Sequence, residues 1–254
     1  MPLLFIGHGH PINALLDNDF TRSLTKVGCE IEKPEAILVI SAHWETNGTF
    51  VSINPAPRTI YDFGNFNSEL YGISYPAKGA PRFAQSLIDT VQTPIGVDTE
   101  MGLDHGAWTV LKYLRPAADV PVFEMSLHYG MGPAYHFALG KELRCLRDKG
   151  VLIVCSGNIV HNLAQTDWRD MDAKPHDWVL EFDELVKKYL TIRAFNKLVD
   201  YQNLGTAARL SIPTNDHYLP MIYSLGLADE GEEMEQFYEG YQFAAMSMRC
   251  FKIG

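Results

Sequence analysis

The chain alternates short, largely apolar runs with segments of helical periodicity, and this alternation limits the folds open to it. The clearest apolar runs cover residues 3–6, 36–41, 121–127 and 151–155. A run that is apolar on both faces, such as residues 36–41, is typical of a strand buried on both sides of a sheet. Because helical segments separate the runs, their order indicates βαβ units. The sequence therefore predicts an α/β fold with a mostly parallel central sheet and helices on both faces.

Helical periodicity between and after these runs predicts five main helices. They are expected near residues 13–26, from Pro81 onward, and at residues 106–114, 133–149 and 177–195. Residues 242–253 fit a strand as well as a helix. No repeat, low-complexity tract or linker divides the chain. We therefore expect residues 1–254 to form a single domain.

Residues 45–78 do not follow this alternation. They combine prolines and turn residues with aromatic side chains that include Tyr61, Phe63, Phe66, Tyr71 and Tyr75. Long loops inside compact domains are usually functional or lid-like. Two interpretations follow, a small hairpin at residues 49–53 with packed loops, or the wall of an active site.

The charge balance limits the partners of the chain. It carries 31 Asp and Glu residues against 21 Lys and Arg residues, a formal net charge of −10 at pH 7. This charge repels phosphate backbones, and no basic stripe offsets it, so we expect neither nucleic acid nor an anionic membrane as a partner. No apolar run approaches the roughly 18 residues of a membrane span. The sequence does not specify an oligomeric state.

The cysteines indicate a reducing environment. Cys29, Cys145, Cys155 and Cys250 lie far apart and form no CxxC motif. In a chain of this size they are expected to be reduced, buried, small hydrophobic residues. Cys155 is expected to be buried at a strand end and not to act as a nucleophile. Because the start of the chain also lacks the basic region of a signal peptide, the sequence predicts a cytoplasmic protein.

Four of the nine histidines follow predicted strands. His8, His43, His128 and His161 come at or shortly after the ends of the four apolar runs. In an open α/β sheet, ligands collect outside the carboxyl ends of the strands, so histidines distant in sequence can converge there. Neutral imidazole is a common ligand of zinc, copper and iron. The spacing therefore favours a metal site at this edge of the sheet.

The other histidines differ in context. His105 opens a predicted helix, and His217 lies in a turn segment that precedes a proline. His136 is expected on the solvated face of a helix, and His176 at the surface beside the start of the helix at 177–195. The role of His128 is left open at this point.

The histidine segments, taken in order, resemble the class III extradiol ring-cleavage dioxygenases, most closely the branch typified by 4,5-DOPA dioxygenases. The matching segments are Phe5-Ile6-Gly7-His8-Gly9, Val39-Ile40-Ser41-Ala42-His43-Trp44, Ile60-Tyr61-Asp62-Phe63, Asp104-His105-Gly106, Ser156-Gly157-Asn158, Val160-His161-Asn162 and His217-Tyr218-Leu219-Pro220. They span nearly the whole chain in the order of the family. No competing signature of the types GxGxxG, GxxxxGK[ST], GxSxG or HExxH is present.

This resemblance implies roles for five histidines. His8, His43 and His217 would bind one metal ion, His161 would act as the acid/base group above the substrate, and His105 would support the ligands or contact the substrate. The implied reaction opens a catechol, such as DOPA, with O₂. Its ring would be held by aromatic side chains such as Trp44, Tyr61 or Phe63.

Two departures from the family pattern bear on the metal. His10 stands where the family usually has serine, and it would either reach the metal or crowd the pocket. The wider superfamily uses two histidines and a carboxylate for Fe(II), whereas the third ligand here resembles a histidine. A ligand set of three neutral histidines also suits Zn²⁺. We therefore expect one divalent metal ion per chain, either zinc or Fe(II).

Two other functions compete with the dioxygenase. Three histidines with an open coordination position also describe a zinc-dependent hydrolase of the amidase type. A related fold also serves as a non-enzymatic binding protein of the Memo type. A binding module would not need the acid/base residue His161, so the complete set of histidines favours an enzyme.

Overall fold

The computed structural model describes residues 1–64 and 67–254, and these residues form ten strands, nine α-helices and four 3₁₀ helices. The strands are β1 (Leu3–Gly7), β2 (Ala36–Thr46), β3 (Thr49–Ser52), β4 (Ile95–Asp98), β5 (Val122–His128), β6 (Val151–Gly157), β7 (Met234–Tyr238), β8 (Tyr241–Gln242), β9 (Met246–Ser247) and β10 (Cys250–Ile253). The helices are α1 (Asp19–Glu30), α2 (Pro81–Thr90), α3 (His105–Leu114), α4 (Pro133–Glu142), α5 (Cys145–Asp148), α6 (Asp177–Thr191), α7 (Phe195–Val199), α8 (Thr206–Ser211) and α9 (Leu219–Leu227).

Eight strands form the central sheet in the order β4-β3-β5-β2-β6-β1-β10-β7. The four strands at its centre, β5, β2, β6 and β1, are parallel. The pairs β1–β10, β10–β7 and β3–β5 are antiparallel. The predicted α/β fold with a mostly parallel sheet is confirmed. The parallel centre matters for function because it brings the carboxyl ends of β2, β6 and β1 side by side.

Alternating side chains of the central strands enter two separate cores. Leu38 and Ile153 belong to the core covered by α2, α4, α6, α8 and α9. Ile37 and Leu152 belong to the core covered by α1 and α3. Because successive strand residues point to opposite faces, a strand covered on both sides is apolar at most positions. This accounts for the largely apolar runs and confirms helices on both faces.

Strand β2 carries a large bulge at its carboxyl end. Ile40 pairs with Met125 of β5 and Glu45 pairs with Leu127, so five residue steps on β2 lie opposite two on β5. A bulge bends the strand and re-aims the side chains that it carries. His43 lies on this bulge.

Several predicted elements differ from those observed. The helix predicted at 13–26 is a 3₁₀ helix at Pro11–Leu15 followed by α1. Helix α1 starts later because Asn18 and Thr21 form a reciprocal capping box. The helix predicted at 133–149 is divided into α4 and α5. The helix predicted at 177–195 ends earlier, at Thr191, and Phe195 is the first residue of α7.

Two segments for which the sequence left alternatives, residues 49–53 and 242–253, are largely extended. Residues 49–53 form no separate hairpin, because β3 joins the main sheet between β4 and β5. Residues 242–253 form strand segments, the last of which, β10, pairs with β1. Phe66, one of the aromatic residues expected in the loop at 45–78, lies outside the described residues.

The cysteines are only partly as predicted. All four are unpaired, and Cys155 and Cys250 are buried, but Cys29 is exposed and Cys145 is half-buried. Burial raises the pKa of the Cys155 thiol, which opposes a nucleophilic role. Among residues 1–64 and 67–254, no helix combines the length and apolar character required to cross a membrane.

Candidate metal centre

Five histidines from distant parts of the chain converge in one pocket of about 220 Å³. His8 directly follows β1, and His43 lies on the bulge of β2. His105 begins α3, His161 follows β6, and His217 lies two residues before α9. The structure therefore brings together all five histidines that the sequence selected.

The nitrogen atoms of His8, His43 and His217 form one compact group. One nitrogen from each imidazole lies within 4.8 Å of the other two. The Nε2 atoms of His8 and His43 are only 3.0 Å apart. These three side chains could hold one metal ion.

The glycine Gly157 makes this convergence possible at the end of β6. A Cβ atom at position 157 would lie 2.2 Å from the carbonyl oxygen of His217. The neighbouring backbone N–H of Asn158 donates to that same oxygen at 2.8 Å. Without a side chain at 157, the segment that carries His217 can pack directly on the strand end.

Hydrogen bonding fixes the imidazole of His8. The hydroxyl of Ser156 donates to the carbonyl oxygen of Gly106 at 2.6 Å, so its oxygen can only accept from His8 Nδ1, which lies 2.9 Å away. The proton of His8 is therefore on Nδ1. Its Nε2 atom carries a lone pair that points toward the other histidines, which is the arrangement a metal ligand requires.

His217 is oriented in the same way by the preceding residue. Its Nδ1 atom donates to Asp216 Oδ2 at 2.6 Å. Its Nε2 atom is buried and has no hydrogen-bond partner within the described part of the chain. Burial opposes ionisation of Asp216, but the hydrogen bond and charge of His217, with smaller contributions from Thr214 and His161, together outweigh it and lower the pKa of this carboxyl group. A carboxylate behind a ligating histidine fixes the tautomer and increases the basicity of the ligand.

The charge state of the cluster also suits a cation. Burial lowers the pKa of His8 and of His43 well below the usual value, and the neighbouring histidines lower both further. Both imidazoles are therefore neutral at pH 7, the form that binds metals. One nitrogen each of His8, His43 and His217 faces the other two, and those of His8 and His217 carry lone pairs. Without a positive ion between them, these nitrogens would repel one another. The residues present thus fit a divalent metal ion.

His105 is held by a carboxylate that sequence reasoning did not select. Its backbone N–H and its Nδ1 atom both contact Asp62, at 2.8 and 2.9 Å. The ring of His105 lies beside that of His43, with centroids 3.8 Å apart. Since Nδ1 is engaged by Asp62, Nε2 is the nitrogen of His105 left for the pocket.

His161 lies next to the cluster but does not join the group of His8 and His43. One of its nitrogens lies within 4.8 Å of a nitrogen of His217 and of a carboxylate oxygen of Asp216. Its backbone N–H donates to the carbonyl oxygen of Ser211 at 3.0 Å, which fixes its position. Burial, with a smaller contribution from His217, lowers the pKa of His161 to about 2. The imidazole is therefore neutral at pH 7.

A pair of buried carboxyl groups supports the centre from behind. Asp104 caps α3 and accepts a hydrogen bond from Ser41 at 2.7 Å, while Glu124 accepts the backbone N–H of Asp104 at 3.0 Å. Burial raises the pKa of both groups; the charge of Asp104 raises the pKa of Glu124 further, and the charge of Asp62 that of Asp104. Both carboxyl groups therefore ionise at a higher pH than exposed ones do. Ser41 also accepts the backbone N–H of His43, which connects the pair to the cluster.

The four remaining histidines belong to no group of possible metal ligands within the part of the chain that the structure describes. His10 lines the pocket, and its Nδ1 accepts the backbone N–H of Ile12 at 3.1 Å. His128 accepts the backbone N–H groups of Gly48 and Gly130. His176 precedes α6 as predicted.

The solvated position predicted for His136 is wrong. This side chain is fully buried on α4, where its ring packs edge-on against Tyr223 of α9. Its Nδ1 atom bonds to the carbonyl oxygen of Gly132 at 3.0 Å. Burial lowers the pKa of His136 to about 4, so the ring is neutral at pH 7.

The aromatic lining of the pocket differs from the one that the sequence suggested. Of the three expected aromatic residues, Phe63 lines the pocket. Tyr61 instead packs against Trp108 and donates its hydroxyl to the carbonyl oxygen of Ile73, and Trp44 is buried. A wider, open depression beside Glu45 and Asp216 contains none of the histidines.

Sequence reasoning missed the residues that orient the imidazoles. Asp216 had an available signal, because a carboxylate directly preceding a candidate ligand can support it. Glu124 also had one, because it interrupts an otherwise apolar strand. Asp62 and Ser156 are distant in sequence from the histidines that they contact, so their role required the fold.

Comparison with known families gives a match over most of the chain. The family described as "Catalytic LigB subunit of aromatic ring-opening dioxygenase" matches residues 11–249. The 4,5-DOPA dioxygenase extradiol of Escherichia coli K12 is 42% identical over 259 residues, covering 100% of this chain and 95% of the relative. The 4,5-DOPA dioxygenase extradiol of Beta vulgaris is 32% identical, covering 98% and 95%.

A solved structure shows the same fold. An uncharacterized protein from Escherichia coli K12 superposes with a TM-score of 0.87 at 40% sequence identity, and the match covers 100% of both chains. The similarity therefore extends over the central sheet and the helices on both faces.

Proposed function

The chain belongs to the family of the catalytic LigB subunit of aromatic ring-opening dioxygenases, and we propose that it cleaves a catechol such as DOPA. The proposed bond cleavage lies beside the two hydroxyl-bearing carbons and not between them. Both atoms of O₂ enter the product, a ring-opened semialdehyde. The observation that carries the proposal is the convergence of His8, His43 and His217 beside the neutral imidazole of His161.

We assign one divalent metal ion, Fe(II) or zinc, to His8, His43 and His217. Their orientation by Ser156 and Asp216 supports this assignment. When bound, the ion would supply a positive charge that lowers the pKa of a catechol hydroxyl and, if it is iron, a redox-active centre for O₂ chemistry.

His161 is the proposed acid/base residue. Its neutral imidazole accepts the proton of a catechol hydroxyl and returns it as the ring opens, a role suited to a positioned histidine. His105 is the proposed substrate contact, because its Nε2 atom is the nitrogen not engaged by Asp62. Phe63 contacts His105 edge-on and would bound the space for the aromatic ring.

The chain is further proposed to act as one catalytic domain of residues 1–254 in the cytoplasm. The pairing of β1 with β10 joins the two ends of the described chain in one sheet, which supports a single domain. Four unpaired cysteines suit a reducing compartment. The proposed partners are a small catechol and O₂, with no nucleic acid or membrane, consistent with the net charge of −10.

Metal replacement under controlled oxygen tests the proposed reaction. The protein is stripped, reloaded anaerobically with Fe(II) or Zn²⁺, and given DOPA, caffeate, protocatechuate or unsubstituted catechol. We expect O₂ uptake in step with catechol consumption for the Fe(II) protein only, since Zn²⁺ has no accessible redox chemistry.

Two outcomes would overturn the proposal. Zinc-dependent cleavage of esters or amides without O₂ uptake would identify a hydrolase. Catechol binding to the Fe(II) protein without any O₂ uptake would exclude ring cleavage of the tested catechols.

A further inference from the structure

Residues 241–247, which we call the hairpin, lie along the segment that carries His161. The hairpin consists of β8, β9 and the turn between them. On its outer edge, Met246 pairs with His161 in an antiparallel bridge. The backbone N–H of Ser247 donates to the carbonyl oxygen of Val160 at 3.0 Å. The position of the hairpin therefore determines the position of the backbone at His161.

A hairpin this short needs support from the rest of the fold. Two pairs of residues join β8 to β9. In the turn, Phe243 and Ala244 adopt φ angles of 51° and 62°, in the left-handed region that residues with a side chain rarely occupy. A short two-stranded hairpin is marginally stable by itself, and strained backbone persists only where its surroundings hold it. The contacts of the hairpin with other elements therefore decide its geometry.

Asp183 of α6 supplies the main polar contacts of this kind. Its carboxylate is 1% exposed. The Oγ of Ser247 donates to Oδ1 at 2.6 Å, and the hydroxyl of Tyr241 donates to Oδ2 at 2.9 Å. Arg249, two residues beyond the hairpin, donates Nε and Nη2 to the same two oxygens at 3.1 and 2.5 Å. Because Tyr241 and Ser247 are cross-strand partners, one carboxylate binds both strands of the hairpin.

The two faces of β9 connect this carboxylate to the pocket. Ser247 directs its side chain to Asp183, whereas Met246, the residue before it, lines the pocket. Successive side chains of a strand point to opposite faces, so a shift of one moves the other. A displacement of Ser247 would therefore be transmitted through Met246 to His161.

The burial of the ion pair favours a role in fixing geometry. The side chains of Asp183 and Arg249 are 1% and 0% exposed. Burying two charges costs solvation, so such a pair is a poor source of stability. Its two parallel hydrogen bonds nevertheless define the position of the carboxylate closely. The pair thus suits the task of holding the hairpin in one place.

We propose that Asp183 is a positioning residue for His161 and acts through the hairpin. This inference rests on the proposed function, because it takes His161 as the acid/base residue. Asp183 does not line the pocket, so its effect on turnover must pass through the residues that it holds. Misplacement of a reacting group by about 1 Å can cost about 10²-fold in rate.

A comparison in two backgrounds tests this route. Asp183→Asn and Ser247→Ala are each made in the natural chain and in His161→Ala. The kcat and KM of the Fe(II)-loaded proteins are measured by O₂ uptake with DOPA, and metal content by atomic absorption. In the natural chain, kcat should fall about 10–100-fold for Asp183→Asn and about 5-fold for Ser247→Ala. KM and metal content should stay within about 2-fold of the natural values.

The same substitutions should have almost no effect in His161→Ala. Without the imidazole there is no group left to misplace, so kcat should change by less than about 2-fold. A purely structural role of Asp183 predicts instead the same fold loss in both backgrounds. This difference distinguishes positioning of His161 from general support of the fold.

Two controls address stability. Asp183→Asn leaves the buried charge of Arg249 without its full partner, which destabilises a fold. Ser247→Ala keeps that ion pair and removes only the hydrogen bond to the hairpin, so it decides the question alone if Asp183→Asn does not fold. Glu232→Gln is the matched control, because Glu232 pairs with the buried Arg147 at 2.8 Å outside the hairpin and the pocket. It should lower the urea midpoint of unfolding and leave kcat unchanged.

The outcomes separate the inference from the proposed function. An unchanged kcat in Ser247→Ala, or equal losses in the two backgrounds, would overturn the positioning role while the natural protein still cleaves DOPA. A loss of kcat in Glu232→Gln as large as that in Ser247→Ala would also overturn it. If the natural Fe(II) protein takes up no O₂ with DOPA or the other catechols, the proposed function fails, and the inference fails with it.

Discussion

The imidazole of His161 stacks on that of His217, with ring centroids 3.5 Å apart and planes inclined by 10°. The two residues belong to different segments that meet where the backbone N–H of Asn158 donates to the carbonyl oxygen of His217. The stacking places His161 against a proposed ligand without adding its nitrogens to the group of His8 and His43. This geometry supports the proposed role of His161 in proton transfer and not a role in metal binding.

His161→Ala is therefore expected to keep its metal and lose activity. The loss of turnover should be about 10²–10⁴-fold, the usual contribution of a positioned acid/base group. Metal content is measured by atomic absorption and turnover by O₂ uptake. A variant that loses metal and activity together would make His161 a ligand.

Replacement of His8, His43 or His217 by Ala should instead reduce the metal content to well below one ion per chain. Each removes one of three nitrogens, and the remaining two cannot complete the site. His176→Ala is the control, because this residue lies before α6 and bonds to the carbonyl oxygen of Gln165. Full metal occupancy in His217→Ala would show that the third ligand is misassigned.

Asp216→Asn tests the support of His217. The amide cannot provide the negative charge that accepts the Nδ1 proton, so we expect metal affinity to fall by about 10–100-fold. Competition with a chelator measures this affinity. Asp89→Asn, an exposed side chain of α2, should leave it unchanged. Equal affinities in the two variants would show that Asp216 does not orient a ligand.

Asp62→Asn should affect turnover more than metal binding. Asp62 accepts from both the backbone N–H and the ring of His105, and an amide group that accepts one of these bonds presents its NH₂ group to the other. The ring would then adopt the opposite tautomer. We expect kcat to fall by about 10–100-fold, the range for lost supporting contacts, at unchanged metal content. A change in the pH profile of kcat would accompany it, whereas a merely structural role predicts an unshifted profile.

The fold could be predicted to a large extent because its signals are local. The strands of the parallel centre are continuous apolar runs, and these runs also identify the strand ends where His8 and His43 lie. The bulge of β2 could not be predicted, because it depends on pairing with β5. The sequence also did not predict that residues 133–149 divide into α4 and α5. Helix α4 packs closely on α9 through Gly140 and Gly226, and this contact depends on the tertiary fold.

The error on His136 has a specific geometric cause. The presence of basic residues such as Lys141 in the same helix suggested a solvated face. Five residues correspond to a rotation of about 140° around a helix axis, so His136 and Lys141 face different directions. Which face is covered depends on α9, and its Tyr223 packs against His136. In the site, likewise, the hydrogen-bond partners of the histidines, such as Ser156, could not be predicted, because they depend on the topology of the fold.

The buried pair of Glu124 and Asp104 should make stability depend on pH. Burial, followed by the charge of Asp104, raises the pKa of Glu124 well above 4.5 in the folded protein, whereas the unfolded chain ionises near 4.5. A group whose pKa is raised on folding contributes stability below the unfolded value, and this contribution is lost as the pH rises toward the folded value. Glu124→Gln removes the titration and keeps a neutral side chain that can donate to Asp104.

The free energy of unfolding of Glu124→Gln, relative to that of the natural chain, should therefore rise with pH above 4.5. The expected slope approaches about 1.4 kcal/mol per pH unit for one proton. Urea titrations at constant metal concentration between pH 5 and 9 measure it. Glu142→Gln is the control: the pKa of Glu142 is lowered, with burial opposing the shift and its hydrogen bonds to Thr93 and Gln92 outweighing it. Glu142 is thus ionised in both states above pH 5.5, and its replacement should give a pH-independent difference. Parallel curves for Glu124→Gln would mean that the carboxyl pair does not hold a proton.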